Sequence, residues 1–261
     1  MKSKLLAAAT AAFLLATAAK AEDLLIGTSA DYPPWESVDP SGKIIGLDVD
    51  LGLEICKRIQ ANCTFTNQSY DGLLPGLSVG KFDLVMSAVS MTEARMQKVD
   101  FSQPYAKSSS RFVVKDGTMP LEPDSSKEAV LKELDAKVVG TQVGSAQTSA
   151  AQANLKGVTL REYERADQMF EDVRAGRVDA ILLIETAAAD IIVSDAGKGT
   201  VFAGPSLTGK DFPELGMGFG IALKKGNQEL KARLDGAIAS MVQDGTIKQL
   251  SEKYLGKDVT P

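Results

Sequence analysis

The sequence predicts an α/β protein of two successive lobes, each built on a doubly wound, mainly parallel sheet with helices on both faces. Two observations predict it. Short apolar runs alternate with runs of helical period from about residue 24 onward, and the alternation begins again after about residue 109. Strands separated by helices return in the same direction, which is how parallel sheets arise.

Residues 1–21 read as an export leader outside the fold. Lys2 and Lys4 form a basic start, Leu5 to Ala18 an apolar stretch, and Ala19-Lys20-Ala21 an A-x-A cleavage site before Glu22. The apolar stretch falls short of the ~18 residues of a membrane span, and no second one of that length follows. Export to the periplasm as a soluble chain, with cleavage after Ala21, is the expectation.

In the mature chain, Leu24 to Thr28 predicts a strand, followed by a loop carrying Tyr32, Pro33, Pro34 and Trp35. A helix is predicted from Gly46 to about Gln60. Leu51, Ile55 and Ile59 repeat every four residues, with acids at the start and Lys57-Arg58 at the end, as the macrodipole favours. Thr64 to Thr66 is a second strand, Asp71 to Val79 a helix, and Asp83 to Met86 a third strand. Ser110 to Lys115 is a strand, and a polar segment, Gly117 to Lys127, precedes the second unit. That unit comprises a strand at Lys137 to Gly140, a helix from Gln147, a strand near Val158 to Arg161, a helix over Ala166 to Ala175, and a strand at Asp179 to Ile184. A lobe boundary therefore falls near Tyr105–Ser109. The chain closes on two helices marked by Leu230, Leu234, Ile238 and Met241, then by Ile247, Leu250 and Tyr254, with Asp244-Gly245 as the break.

Removing residues 1–21 takes away three lysines and no acid, leaving 26 basic against 34 acidic residues and a net charge of −8. Nucleic acid is an unsuitable partner for such a surface. The chain has no histidine, which excludes Ser-His-Asp chemistry and histidine-bearing metal sites. No cofactor or metal is expected. Cys56 and Cys63 are the only cysteines, with six residues between them. In an oxidising compartment they read as a disulfide, two free buried thiols being the alternative.

The stretch Val85 to Arg95 carries the densest chemistry. An apolar run opens into a hydroxyl-rich loop, and Ser90 and Glu93 stand at the S-x-x-E spacing of a capping box. Backbone N–H groups, Ser87, Ser90 and Arg95 would then converge on one point. A guanidinium fork there suits a carboxylate; the alternative is a solvated arginine on a surface turn. Gly216 to Gly220 is glycine-rich but lacks the strand–helix context and trailing Lys-Ser/Thr of a phosphate loop. It reads as crowded backbone near a hinge.

Gly46-Leu47-Asp48-Val49-Asp50-Leu51, with Ile55, Cys56 and Ile59, closely resembles the signature of periplasmic binding proteins for polar amino acids, which serve ABC importers. Phe101-Ser102-Gln103-Pro104-Tyr105, Ala175-Gly176-Arg177-Val178-Asp179 and Asp244-Gly245-Thr246 extend the resemblance from about residue 24 to 256. The chain is most similar to the histidine-, lysine/arginine/ornithine- and opine-binding subgroup, which carries a disulfide at the positions of Cys56 and Cys63.

The resemblance implies a two-lobed (type II) periplasmic binding protein with two hinge strands, closing on its ligand like a trap. It assigns residues 22–108 plus 206–261 to lobe 1 and 109–205 to lobe 2. It further implies that Arg95 holds a ligand α-carboxylate, aided by Ser87, Ala88 and Ser90. Tyr32 and Tyr70 would sandwich the ligand side chain. Gln142, Ser145, Ala146 and Gln147 would supply the second lobe's contacts, with Trp35 either behind the aromatic wall or simply in the lobe-1 core. A monomer that hands a small molecule to an inner-membrane permease is the implied partnership.

Departures from the family pattern bear on the ligand. The basic-ligand binders have an acid at the position of Ser29, so loss of that charge disfavours histidine, lysine and arginine. Ala88 and Ala146 each replace a hydroxyl residue and leave a roomier pocket. The family's ammonium-binding aspartate corresponds to Ile184, and an acid follows only at Glu185. A one-residue shift in a strand turns a side chain to the opposite face. Either a bulge re-aims Glu185 inward, or the ligand is an N-substituted amino acid such as an opine, which is the expectation preferred here. Glu185 also carries the rival expectation of a cyclohexadienyl dehydratase-like enzyme, which needs a general acid in the cleft. A sensor module docked on a membrane receptor is a further alternative.

Overall fold

The computed structural model describes residues 21–261 apart from 121 and 123. The expected leader lies outside the described residues except for Ala21. No described helix is long and apolar enough to cross a membrane.

The first lobe opens with β1 (Glu22–Thr28), a small sheet of β2 (Asp31–Tyr32), β3 (Glu36–Val38) and β4 (Ile44–Ile45), then α1 (Leu47–Arg58), β5 (Ala61–Asn67), α2 (Tyr70–Ser78), β6 (Leu84–Val85), α3 (Glu93–Met96) and β7 (Asp100–Phe101). The second lobe contains β8 (Ser110–Lys115), α4 (Lys127–Glu133), β9 (Val138–Gln142), α5 (Ala146–Asn154), β10 (Thr159–Tyr163), α6 (Ala166–Arg174), β11 (Ala180–Ile184), α7 (Glu185–Ile192) and β12 (Thr200–Leu207). After a 3₁₀ turn at Pro213–Leu215, the chain returns to the first sheet as β13 (Ala222–Leu223), and ends in α8 (Gln228–Gln243) and α9 (Thr246–Leu255).

The α/β class holds, but both five-stranded sheets are mixed rather than mainly parallel. The first runs β5-β1-β6-β13-β7 and the second β10-β9-β11-β8-β12. In each, two pairings are parallel and two antiparallel. The antiparallel pairs have one cause: the chain enters or leaves a lobe through them. β13 arrives from the other lobe and slots between β6 and β7, while β8 slots between β11 and β12. Such two-residue strands as β7 and β13 are too short to show a sequence period.

Helix α1 starts where the sequence allows little else. Gly46 has φ +135, and a Cβ there would meet the Trp35 carbonyl oxygen at 2.2 Å, so only glycine lets α1 begin against that loop. Leu47 and Asp48 donate their amides to the carbonyls of Pro34 and Trp35, at 3.0 Å each. At the far end, Cys56 and Cys63 form a disulfide that ties α1 to β5. Closing so short a loop contributes about 2–3 kcal/mol.

The chain crosses between sheets twice. Near Ala106, Phe219 forms isolated bridges with both Ser90 and Ala106. Beside it Gly216, at φ +80, leaves no room for a Cβ against the Met91 carbonyl. Phe212 and Leu215 are buried in the second sheet's core with Val139, Leu182 and Leu207. The stretch after β12 thus stays packed on the second sheet until residue 215.

Candidate ligand-binding cleft

In open α/β sheets, the carboxyl ends of the strands leave a crevice where ligands bind. Here the two sheets turn those ends toward each other. A narrow cavity between them is lined from the first lobe by Ser29, Asp31, Tyr32, Glu36, Tyr70 and Ser87, and from the second by Gln142, Ser145, Gln147 and Ile184. Beside it a groove of about 760 Å³ shares Tyr70 and Ser145 and adds Arg95, Thr92 and Ala146 among its walls. Arg95 belongs to this groove rather than to the inner cavity.

Among the described residues, three hydrogen bonds link the lobes across the cleft. Trp35 Nε1 donates to Thr186 Oγ1 at 2.8 Å, the Ile184 amide donates to the Tyr32 hydroxyl at 3.1 Å, and Arg95 Nη2 donates to the Gly144 carbonyl at 2.9 Å. Arg95 is thus neither a solvated surface residue nor committed to one partner. Its Nη1 donates to the Ser90 carbonyl at 3.0 Å, and Nη2 lies 3.3 Å from the Tyr70 hydroxyl.

The helix cap near Arg95 differs from expectation. Thr92, not Ser90, caps α3, its Oγ1 accepting the Arg95 amide at 3.3 Å. Ser90 is held instead in the bridge to Phe219, and its carbonyl serves Thr92 and Arg95. The helix therefore starts two residues later than the S-x-x-E spacing placed it.

From the second lobe, Ser145 caps α5, its Oγ accepting the Thr148 amide at 3.1 Å. That aims the first amides of α5, at Ala146 and Gln147, toward the wall shared with Arg95, where an anion is favoured. Gln147 Nε2 donates to Ser110 Oγ at 2.9 Å, and Gln142 Nε2 to the Glu164 carbonyl at 3.1 Å. Both glutamines are fixed by neighbours of the hinge and rim.

Several residues stand elsewhere than the cleft wall. Trp35 is fully buried, packed edge-on against Phe219 at 5.0 Å, behind the cavity. Ala88, at φ +44, turns its amide to Asp48. Ile184 faces the cavity, whereas Glu185 points to the hinge. Its Oε2 accepts from Ser109 and Ser206 Oγ at 2.6 Å each, and Oε1 lies 3.5 Å from Arg111 Nη1. No bulge re-aims it, because it opens α7 and its amide is held by the Ser109 carbonyl. Burial works against its charge, yet the hydrogen bonds from Ser109 and Ser206 and the charges of Lys257 and Arg111 hold its carboxyl below the ordinary range.

Two cavity acids were not singled out from the sequence. Asp31 lines the cavity two residues beyond Ser29, which donates its hydroxyl to Asp31 Oδ1 at 2.8 Å. Burial raises its carboxyl above the usual range, opposed by that hydrogen bond and by Arg165. The signal was legible: an acid missing at residue 29 reappears at 31. Glu36 had no such signal, since only its fully buried position behind Ser87 makes it part of the wall.

Two α/β lobes with an anion-suited cleft between them define a solute-capturing protein. The chain belongs to the bacterial extracellular solute-binding proteins, family 3, whose sequence model matches residues 24–257. It is 36% identical over 254 residues to the histidine-binding periplasmic protein of Escherichia coli strain K12, covering 96% of this chain and 93% of that one. Among solved structures, a Salmonella typhimurium periplasmic binding protein of high arginine specificity superposes with a TM-score of 0.78 at 30% identity, covering 90% of this chain and all of that one. An ancestral amino-acid-binding protein that is a precursor of cyclohexadienyl dehydratase gives a TM-score of 0.76, also at 30% identity, over 89% of this chain and 95% of that one.

Proposed function

We propose that this chain captures an amino acid or amino-acid derivative in the periplasm and delivers it to the permease of an ABC importer. One observation carries the reading. Arg95 from the first lobe and the start of α5 from the second wall the same groove, so a single carboxylate bridges both lobes and rewards closure. The moving bodies are residues 22–107 with 216–261, and residues 108–215, because the stretch through Leu215 packs on the second sheet. Cleavage after Ala21 and a monomeric state complete the proposal.

The positive group of the ligand faces Asp31. Ile184 offers nothing to an α-ammonium, and the inner cavity has acids at Asp31 and Glu36 but no lysine or arginine in its lining. That supports an N-substituted amino acid, an opine above all, or one whose side chain carries the cation, as the arginine- and histidine-binding relatives suggest. A binding role is favoured over a dehydratase because Glu185 is engaged by Ser109, Ser206 and Arg111 at the hinge.

Mass spectrometry of small molecules released on denaturing the purified protein tests the class. A carboxylate-bearing amine is expected; a sugar, a metal chelate or a peptide in stoichiometric yield would overturn it.

A further inference from the structure

Behind the cleft lie two acids with no base. Glu36 and Asp48 are essentially without solvent exposure, at 1% and 0%. Glu36 Oε1 accepts from Ser87 Oγ at 2.8 Å, and that oxygen in turn accepts the Ser29 amide at 3.0 Å. Asp48 Oδ2 accepts the Ala88 amide at 2.6 Å and the Tyr105 hydroxyl at 2.9 Å. The two remaining oxygens, Glu36 Oε2 and Asp48 Oδ1, are buried without a hydrogen-bond partner, and the two carboxyls are held by adjacent residues of one loop, Ser87 and Ala88.

The groups acting on the pair come from every element packed around it. They are Asp31 and Tyr32 from β2 and Tyr105 from the first crossing, with Tyr70 of α2 acting on the two tyrosines. None is a cation. Two ionised carboxylates in contact, out of water and without a counter-ion, repel strongly. One proton between them removes the repulsion and supplies the donor both acceptors lack.

We propose that Glu36 and Asp48 share one proton and act as positioning residues for the ligand loop, with Glu36 as donor. The proton joins β3 to the start of α1. Through it Glu36 orients the Ser87 hydroxyl on the cavity wall, while Asp48 holds the Ala88 amide and its left-handed backbone in place. The loop that lines the cleft thus hangs on a carboxyl–carboxylate hydrogen bond. This rests on the cleft being the ligand site, but the pair itself is testable without a ligand.

The linkage has a definite sign. Burial, the largest cause for each, raises both groups: Glu36, also repelled by Asp48, well above its ordinary range, and Asp48 to about 7. The folded chain therefore binds more protons than the unfolded one above the ordinary carboxylate range, and stability from the pair falls as pH rises through that window.

Three measurements on the full mature chain test the proposal. Infrared difference spectra at about pH 8, where ordinary carboxyls are ionised, are expected to show one protonated-carboxyl band that Glu36→Gln removes. Its absence from the wild type, or its persistence in Glu36→Gln, overturns the shared proton. Glu36→Gln keeps the donor and the acceptor without titrating, so its melting temperature should fall less between about pH 5 and pH 8 than the wild type's; equal slopes count against the pair. Hydrogen exchange reads the positioning. Glu36→Ala should speed exchange of the Ala88 amide by roughly tenfold or more, with Glu36→Gln close to wild type and the second sheet unchanged in both. Unchanged Ala88 exchange in Glu36→Ala overturns the positioning role. If L-arginine is bound, its affinity should follow the same order; if it is not, the arginine-like alternative fails while these three results still decide the pair.

Discussion

The indole Nε1 of Trp35 in the first lobe donates to Thr186 Oγ1 in the second across 2.8 Å, both residues being buried. The chain's only tryptophan therefore reports on whether the lobes are together, although it does not line the cavity. Opening must expose that N–H to water or leave it unpaired. Ligand titration should shift Trp35 emission. Thr186→Val, which keeps the shape but removes the acceptor, should destabilise the closed form by about 1–3 kcal/mol and weaken ligand affinity accordingly. Emission that ignores a saturating ligand would show that Trp35 stays packed throughout.

Arg95 has three partners in the closed form, one of them in the opposite lobe. Removing it should leave a ligand carboxylate unpaired in a desolvated site, at about 3–5 kcal/mol of affinity. Arg95→Lys should restore only part, since an ammonium lacks the planar fork. Calorimetry on both variants checks this. An Arg95→Ala protein that binds as tightly as the wild type would remove Arg95 from the ligand site.

Asp31 must be ionised to attract a cation. Because burial raises its carboxyl, affinity for a cationic ligand should begin to fall, as pH is lowered, while still above the ordinary carboxylate range near 3.9. Asp31→Asn should abolish that pH dependence and weaken L-arginine by roughly tenfold or more, with little effect on L-citrulline, whose side chain is uncharged. Equal losses for both compounds would make Asp31 a structural residue rather than a counter-charge.

Glu185 separates the hinge from the cleft. Its carboxyl is held below the ordinary range, so the stability it contributes is present above about pH 4.3 and lost as pH falls through the lower folded value. Glu185→Gln should flatten that acid limb of a melting-temperature profile yet leave ligand affinity within about threefold, less than one hydrogen bond's worth. A thermal-shift panel of common amino acids against opines then reads the ligand. Strong stabilisation by an unmodified amino acid, abolished in Glu185→Gln, would return Glu185 to the cleft and dismiss the opine.

Local signals in the sequence determined the α/β class, the helix positions in α1, α8 and α9, and the candidate arginine, because period, caps and spacing act over a few residues. They also made the Cys56–Cys63 bridge legible, since two cysteines leave one pairing. The sheets' mixed order was not legible: β7 and β13 have two residues each, and the direction of β13 depends on the chain returning from the other lobe. The cap at Thr92 was not legible either, since Ser90 and Thr92 both carry a hydroxyl near the start of α3. Charge was the least legible property. Nothing in the sequence marks Glu36 and Asp48 as a pair until β3, α1 and the Ser87–Ala88 loop bury them together, and Glu185 could be aimed only once Ser109, Ser206 and Arg111 surrounded it. Whether a carboxyl is a charge, a proton donor or a ligand contact is decided by its surroundings, and those surroundings are brought together only by the tertiary structure.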